Sequence, residues 1–123
     1  EDVLLSGDYR PLAPAFAAMR VRQFVLEYAT PRAGDIGAVG EALAGREIGL
    51  GVVNPRTAEV ETVAEIVARV EGALAHFRPA QIFLNPDCGF GCFANRCVND
   101  AATATAKLAA MAAAARELRG RHG

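Results

Sequence analysis

Gln81-Ile82-Phe83-Leu84-Asn85-Pro86-Asp87-Cys88-Gly89-Phe90-Gly91-Cys92-Phe93-Ala94-Asn95-Arg96-Cys97 begins as a short strand-like run and becomes a loop that holds all three cysteines of the chain. An alanine-rich segment with the length of a helix follows it. A strand that opens into a glycine-rich loop and then a helix is the unit on which α/β folds carry their chemistry. Reading outward from this stretch tests whether the rest of the chain repeats the unit.

It does. Upstream, Pro79 closes a helix that Thr62 and Glu65 open with a capping-box signature, and Val60, Val63, Val67, Val70, Leu74 and Phe77 give that helix a 3-4 apolar stripe. Before it, Glu47 to Val53 reads as a strand whose glycines imply close approach of another backbone, closed by Asn54-Pro55. Asp35 can cap an earlier helix with Ile36, Val39 and Leu43 inward and Gly45 as its stop. Gln23 to Tyr28 reads as a buried strand, and Pro11 starts a short helix with Leu12, Phe16 and Met19 on one face. Downstream, Asn99 or Asp100 caps a last helix, with Leu108, Met111, Ala115 and Leu118 inward before Gly120. Alternation with short connections predicts an α/β fold of parallel strands joined by right-handed crossovers. In such a sheet Glu27-Tyr28, Asn54-Pro55-Arg56 and Asn85-Pro86-Asp87-Cys88 gather at one pole, the carboxyl ends of the strands.

Composition narrows the function classes. The 123 residues are 52% hydrophobic and 22% charged, which suits one domain with a core. A net charge of −1 with scattered basic residues gives no footprint for nucleic acid. The single lysine, Lys107, against twelve arginines speaks of coding bias rather than of a partner. No apolar run approaches the ~20 residues that span a bilayer, and no leader-like pattern is present, so a cytoplasmic protein is expected. Three cysteines within ten positions argue against a disulfide framework and for thiol or metal chemistry. The chain opens on Glu1-Asp2 rather than methionine, which is read as the start of a piece or a processed product.

A thiol and a carboxylate converging from different strands are both zinc ligands. Cys-x3-Cys-x4-Cys matches no closed structural zinc pattern, and His76 and His122 fall at or near helix ends. The plainer alternatives are specific. Cys88 reads equally as an inert buried thiol, Glu27 as a solvated carboxylate or an arginine partner, Asn54 and Asn85 as turn residues, and Arg56 and Arg96 as surface arginines or carboxylate grips. Cys92 and Cys97 are taken as structural or incidental.

Phe24-Val25-Leu26-Glu27-Tyr28, Leu26 through Gly34, Asn85-Pro86-Asp87-Cys88-Gly89 and Asn99 together resemble the carboxyl-terminal catalytic domain of the cobalamin-independent methionine synthase family, and its shorter branch most closely. The resemblance implies the C-terminal portion of a TIM (β/α)8 barrel, with residues 1–123 forming a single partial domain that supplies its last three strands. It implies a catalytic zinc with Glu27 and Cys88, 61 positions apart, as two of its ligands. Asp87, Asn54 and Arg96 would then contact substrate, and Gly89-Phe90-Gly91 would shape the pocket. The family's His-x-Cys ligands are not in this chain. Aligning Gly7-Asp8-Tyr9-Arg10-Pro11 with the family places them just before Glu1; otherwise Val3 and Leu5 occupy their positions in a relative without the metal.

The activity so implied is zinc-dependent alkylation of a thiol, as in 5-methyltetrahydropteroyltriglutamate-homocysteine methyltransferases. The acceptor would be of the homocysteine type, the donor of the methyl-folate type, and the isolated piece inactive. The rival readings are a non-catalytic fragment or subunit that completes a partner, another thiol alkylation such as epoxide opening by coenzyme M, and an open flavodoxin-like domain without metal. Expected partners are the small-molecule thiol and methyl donor, and the missing N-terminal barrel portion or a second copy. No nucleic acid or membrane is expected.

Overall fold

The computed structural model describes residues 7–91 and 98–123. A 3-10 turn over Arg10–Leu12 leads into α1 (Ala13–Ala18), followed by β1 (Gln23–Leu26), α2 (Gly37–Gly40), β2 (Glu47–Val53), α3 (Val63–Ala73), β3 (Ile82–Pro86) and α4 (Ala101–His122). The three strands form one parallel sheet in the order β1-β2-β3, so sequence neighbours are spatial neighbours. This is the α/β alternation expected from the sequence.

Register shows how the sheet is used. Phe24, Ile48 and Ile82 lie in one row, and Leu26, Leu50 and Leu84 in another. These rows join the core with Val67 and Val70 of α3 and Ala114 and Leu118 of α4. The intervening row is Val25, Gly49 and Phe83, in which Val25 is 63% and Phe83 48% exposed. Side chains alternate across a strand, so α3 and α4 cover one face while the other carries bare apolar side chains. A doubly wound sheet has helices on both faces; a barrel wall has them on one.

The central strand can be glycine-rich because its neighbours fill the space. A Cβ on Gly49 would stand 2.7 Å from Asn85 Oδ1 and 2.9 Å from Val25 Cγ2. At Gly51 it would press on Asp87 Oδ1 and stand 2.9 Å from the Leu26 carbonyl oxygen. The close approach read from these glycines is therefore lateral, from β1 and β3.

Several elements differ from expectation. The α1 region buries Phe16, but Leu12 and Met19 stay exposed, because the helix is only six residues long and ends before Met19. Around Asp35 only one helical turn forms; Asp35 Oδ1 accepts from Gly37 N at 2.8 Å, and Val39 and Leu43 still reach the core through the turns that follow. Gly45 ends this segment with φ +75°. The capping box of α3 is present as expected, with Thr62 Oγ1 accepting from Glu65 N and Glu65 Oε2 from Thr62 N. Its Val60 lies before the helix and is exposed. Helix α4 buries Lys107, Ala114 and Leu118 and runs through Gly120; of the expected Leu108, Met111, Ala115 and Leu118, Leu118 is buried and Met111 packs partly buried against the core, but Leu108 is exposed. Lys107, one position before Leu108, is enclosed instead, its ammonium bonded to Glu61 and to the Glu59 carbonyl oxygen.

Candidate functional site

The carboxyl ends of the strands form the site, and Asp87 draws them together. Its Oδ1 accepts from Tyr28 N and Ala29 N, both at 3.0 Å, and its own N–H donates to Val53 O at 2.9 Å. The end of β3 is thereby tied to the ends of β1 and β2, and Cys88 is brought to the pole that holds Glu27. Burial raises the Asp87 pKa, and the nearby Glu27 carboxylate adds to the rise. The two backbone donors and the Arg56 guanidinium pull the other way. Cys88 itself is half-buried.

Glu27 is gripped on both oxygens. Arg32 Nη2 donates to Oε2 at 3.1 Å, and Arg56 Nη2 lies 3.6 Å from Oε1. All three side chains are about one-third exposed, so the cluster faces the pole rather than the core. The Glu27 backbone N–H donates to the Tyr9 hydroxyl at 3.2 Å, and the Tyr9 ring stacks at a tilt on Tyr28, 5.4 Å between centroids. Burial raises the pKa of both tyrosines, which keeps them as neutral phenols. The arginine-partner reading of Glu27 is thus what the structure contains.

The loop after β2 brings Arg56 to this cluster. Asn54 Oδ1 accepts from Arg56 N at 2.9 Å, the turn-shaping role read for Asn54. Asn85 Nδ2 donates to Pro86 O at 2.9 Å, while its oxygen fills the space beside Gly49. Asn99, ahead of α4, is buried and donates through Nδ2 to Pro55 O at 2.6 Å, whereas the helix cap is Asp100, whose Oδ1 accepts from Thr103 N. Arg96, Cys92 and Cys97 lie outside the described residues, as do Val3 and Leu5.

Of the sequence-derived candidates, Glu27, Cys88, Asp87, Asn54 and Arg56 therefore meet at one pole. Sequence reading missed Tyr9, Arg32, Glu61 and Lys107. A signal existed for Lys107: one lysine in an alanine-rich helix, on the stripe next to the apolar positions.

The donor chemistry suits zinc in kind, a carboxylate and a thiol. It does not by itself complete a site, since no group of three His, Cys, Asp or Glu able to hold a metal stands together among the described residues. No helix among these residues is long and apolar enough to cross a membrane.

Comparison with known proteins agrees with the fold. The family model described as cobalamin-independent synthase, catalytic domain, matches residues 6–117. The methionine synthase of Pyrococcus abyssi is 39% identical over 83 residues, 68% of this chain and 24% of that protein. The 5-methyltetrahydropteroyltriglutamate–homocysteine methyltransferase of Acidithiobacillus ferrooxidans is 29% identical over 117 residues, 95% of this chain and 14% of that protein. The chain thus spans about a quarter or less of the length of these relatives. A B12-independent methionine synthase from Shewanella sp. W3-18-1, solved with selenomethionine, superposes with a TM-score of 0.79 at 18% identity, over 92% of this chain and 31% of that one. That likeness concerns the fold, the parallel β/α units of the C-terminal portion of a TIM barrel. With the family match covering most of its residues, this chain belongs to the cobalamin-independent methionine synthase catalytic-domain family.

Proposed function

We propose that this chain supplies the Glu27 and Cys88 walls of a zinc site at which a thiol sulfur is methylated, with a homocysteine-type acceptor and a methyl-folate-type donor. The observation that carries the reading is the convergence of Glu27 and Cys88 on one pole through Asp87. The two named relatives, a methionine synthase and a homocysteine methyltransferase, supply the reaction class. Glu27 and Cys88 would hold the metal, which when bound lowers the pKa of a thiol and keeps it a strong nucleophile near neutral pH. Asp87 keeps the two ligand-bearing segments together. Arg32 and Arg56 orient the Glu27 carboxylate, and Asn54 sets the turn that carries Arg56.

A zinc with three protein ligands needs at least one donor beyond these two. That count favours a second element of the reading: residues 1–123 form a partial domain, and the remaining β/α units supply the rest of the site. Activity belongs to the completed barrel. The test is zinc content and methyl transfer from a methyl-folate to homocysteine, measured on the completed barrel with Cys88→Ser and Glu27→Gln. Loss of stoichiometric zinc together with methyl transfer in both variants is the expected result. Full zinc and full turnover in Cys88→Ser would refute the ligand assignment.

A further inference from the structure

Lys107 is the most deeply enclosed charge among the described residues, with its side chain 0% exposed, and it lies on a helix where alanine or leucine would pack at less cost. Its ammonium donates to Glu61 Oε2 at 3.0 Å and to the Glu59 carbonyl oxygen. The other oxygen of Glu61 accepts from Asn54 N at 2.7 Å. Asn99, just before α4, takes the carbonyl of Pro55. The loop from Asn54 to Glu61 is thus closed on itself from first residue to last, and fastened to the α4 segment at its second residue, its sixth and its last. Between these points stands Arg56, the residue that reaches Glu27.

A buried ion pair is a poor source of stability, because desolvating two charges offsets most of their attraction. What it does well is select one arrangement, since any other leaves a buried charge without its partner. We infer that Lys107 and Glu61 are positioning residues: their buried pair locks the loop after β2 so that Arg56 stands against Glu27. Arg56 spans only 3.6 Å to the carboxylate at a partly exposed position, a contact too weak to fix a loop by itself. The functional weight of the pair rests on the reading of Glu27 as a site residue.

The test uses the full chain labelled with carbon-13 at the glutamate carboxyl groups, with the Glu27 resonance assigned through Glu27→Gln. Arg56→Ala should displace that resonance. Lys107→Met should displace it in the same direction by a similar amount, the double variant Arg56→Ala with Lys107→Met should move it no further, and Lys107→Arg should restore most of it. A loss of global stability alone does not move one carboxyl resonance in the chains that remain folded. A Glu27 resonance indifferent to Lys107→Met or to Arg56→Ala, or two displacements that simply add, overturns the inference. If Lys107→Met does not fold, Glu61→Gln with Lys107→Met removes both buried charges and is read the same way: displacement supports the inference and an unmoved resonance overturns it.

Zinc affinity of the same variants in the completed barrel separates this inference from the proposed function. Weakening of about tenfold in Lys107→Met, the scale usual for groups that orient a ligand, accompanies the displacement if both hold. Coupled displacement without zinc binding in the completed barrel leaves the positioning role standing and removes the ligand role of Glu27. Equal zinc affinity with an unmoved resonance does the reverse.

Discussion

Asp87 carries its carboxylate into a half-buried position and spends one oxygen on two backbone donors, Tyr28 N and Ala29 N. Those donors favour the charged form, yet burial outweighs them and raises the pKa above its ordinary 3.8. A carboxyl whose folded pKa is raised adds stability that is complete below about pH 4 and is lost as the pH rises through the folded value. Asp87→Asn keeps the carbonyl acceptor and removes the charge. Urea unfolding at several pH values should therefore show that variant at least as stable as the parent at pH 7, with the decline above pH 4 flattened. Asp87→Ala strands both N–H groups and should cost about 1–3 kcal/mol at any pH. Gly51→Ala, beside the same carboxylate, meets the Leu26 carbonyl oxygen, which backbone holds in place, and should cost about 1–3 kcal/mol in the same assay.

Helix starts were the most legible elements because their signals are local. The Thr62 and Glu65 box needs only a side chain and the backbone three residues away. Thr62→Ala should destabilise the chain by about 1 kcal/mol, read as a lower urea midpoint at unchanged slope. Asp100 does the same for α4, and its bond from Thr103 N lowers its pKa below the ordinary 3.8. The sign is opposite to that of Asp87: this stability is present above about pH 4 and lost as the pH falls through the lowered value. Circular dichroism of the parent and Asp100→Ala should differ in thermal midpoint at pH 6 and converge in strong acid. The buried face of α4 was less legible. Leu108 follows the apolar pattern but is exposed, while Lys107 is enclosed by partners 46 and 48 residues away in the chain, which no local pattern reveals.

The sheet of the whole molecule has one finished face and one bare face. Phe24 is 7% exposed under the helices, and Phe83, on the alternate row, is 48% exposed. Phe24→Ala should cost about 3–5 kcal/mol and Phe83→Ala about 1 kcal/mol in the isolated chain. Equal costs would mean that both faces are packed. If further strands cover the bare face, as the proposed function requires, the difference between the two variants should narrow in the completed barrel.

Period and punctuation determined the alternation of elements, the glycine-rich central strand and the pole on which Glu27 and Cys88 meet, because each is set within one turn, one strand or the fixed polarity of parallel strands. The resemblance of the loop residues supplied the family. Tertiary structure alone decided what holds the pole together. That Asp87 is a cross-tie between strand ends, that Glu27 sits between Arg32 and Arg56, and that Lys107 reaches the loop after β2 all depend on residues far apart in sequence. No pattern within one element encodes which distant carbonyl or carboxylate a buried charge will meet; packing the helices onto one face of the sheet fixes it.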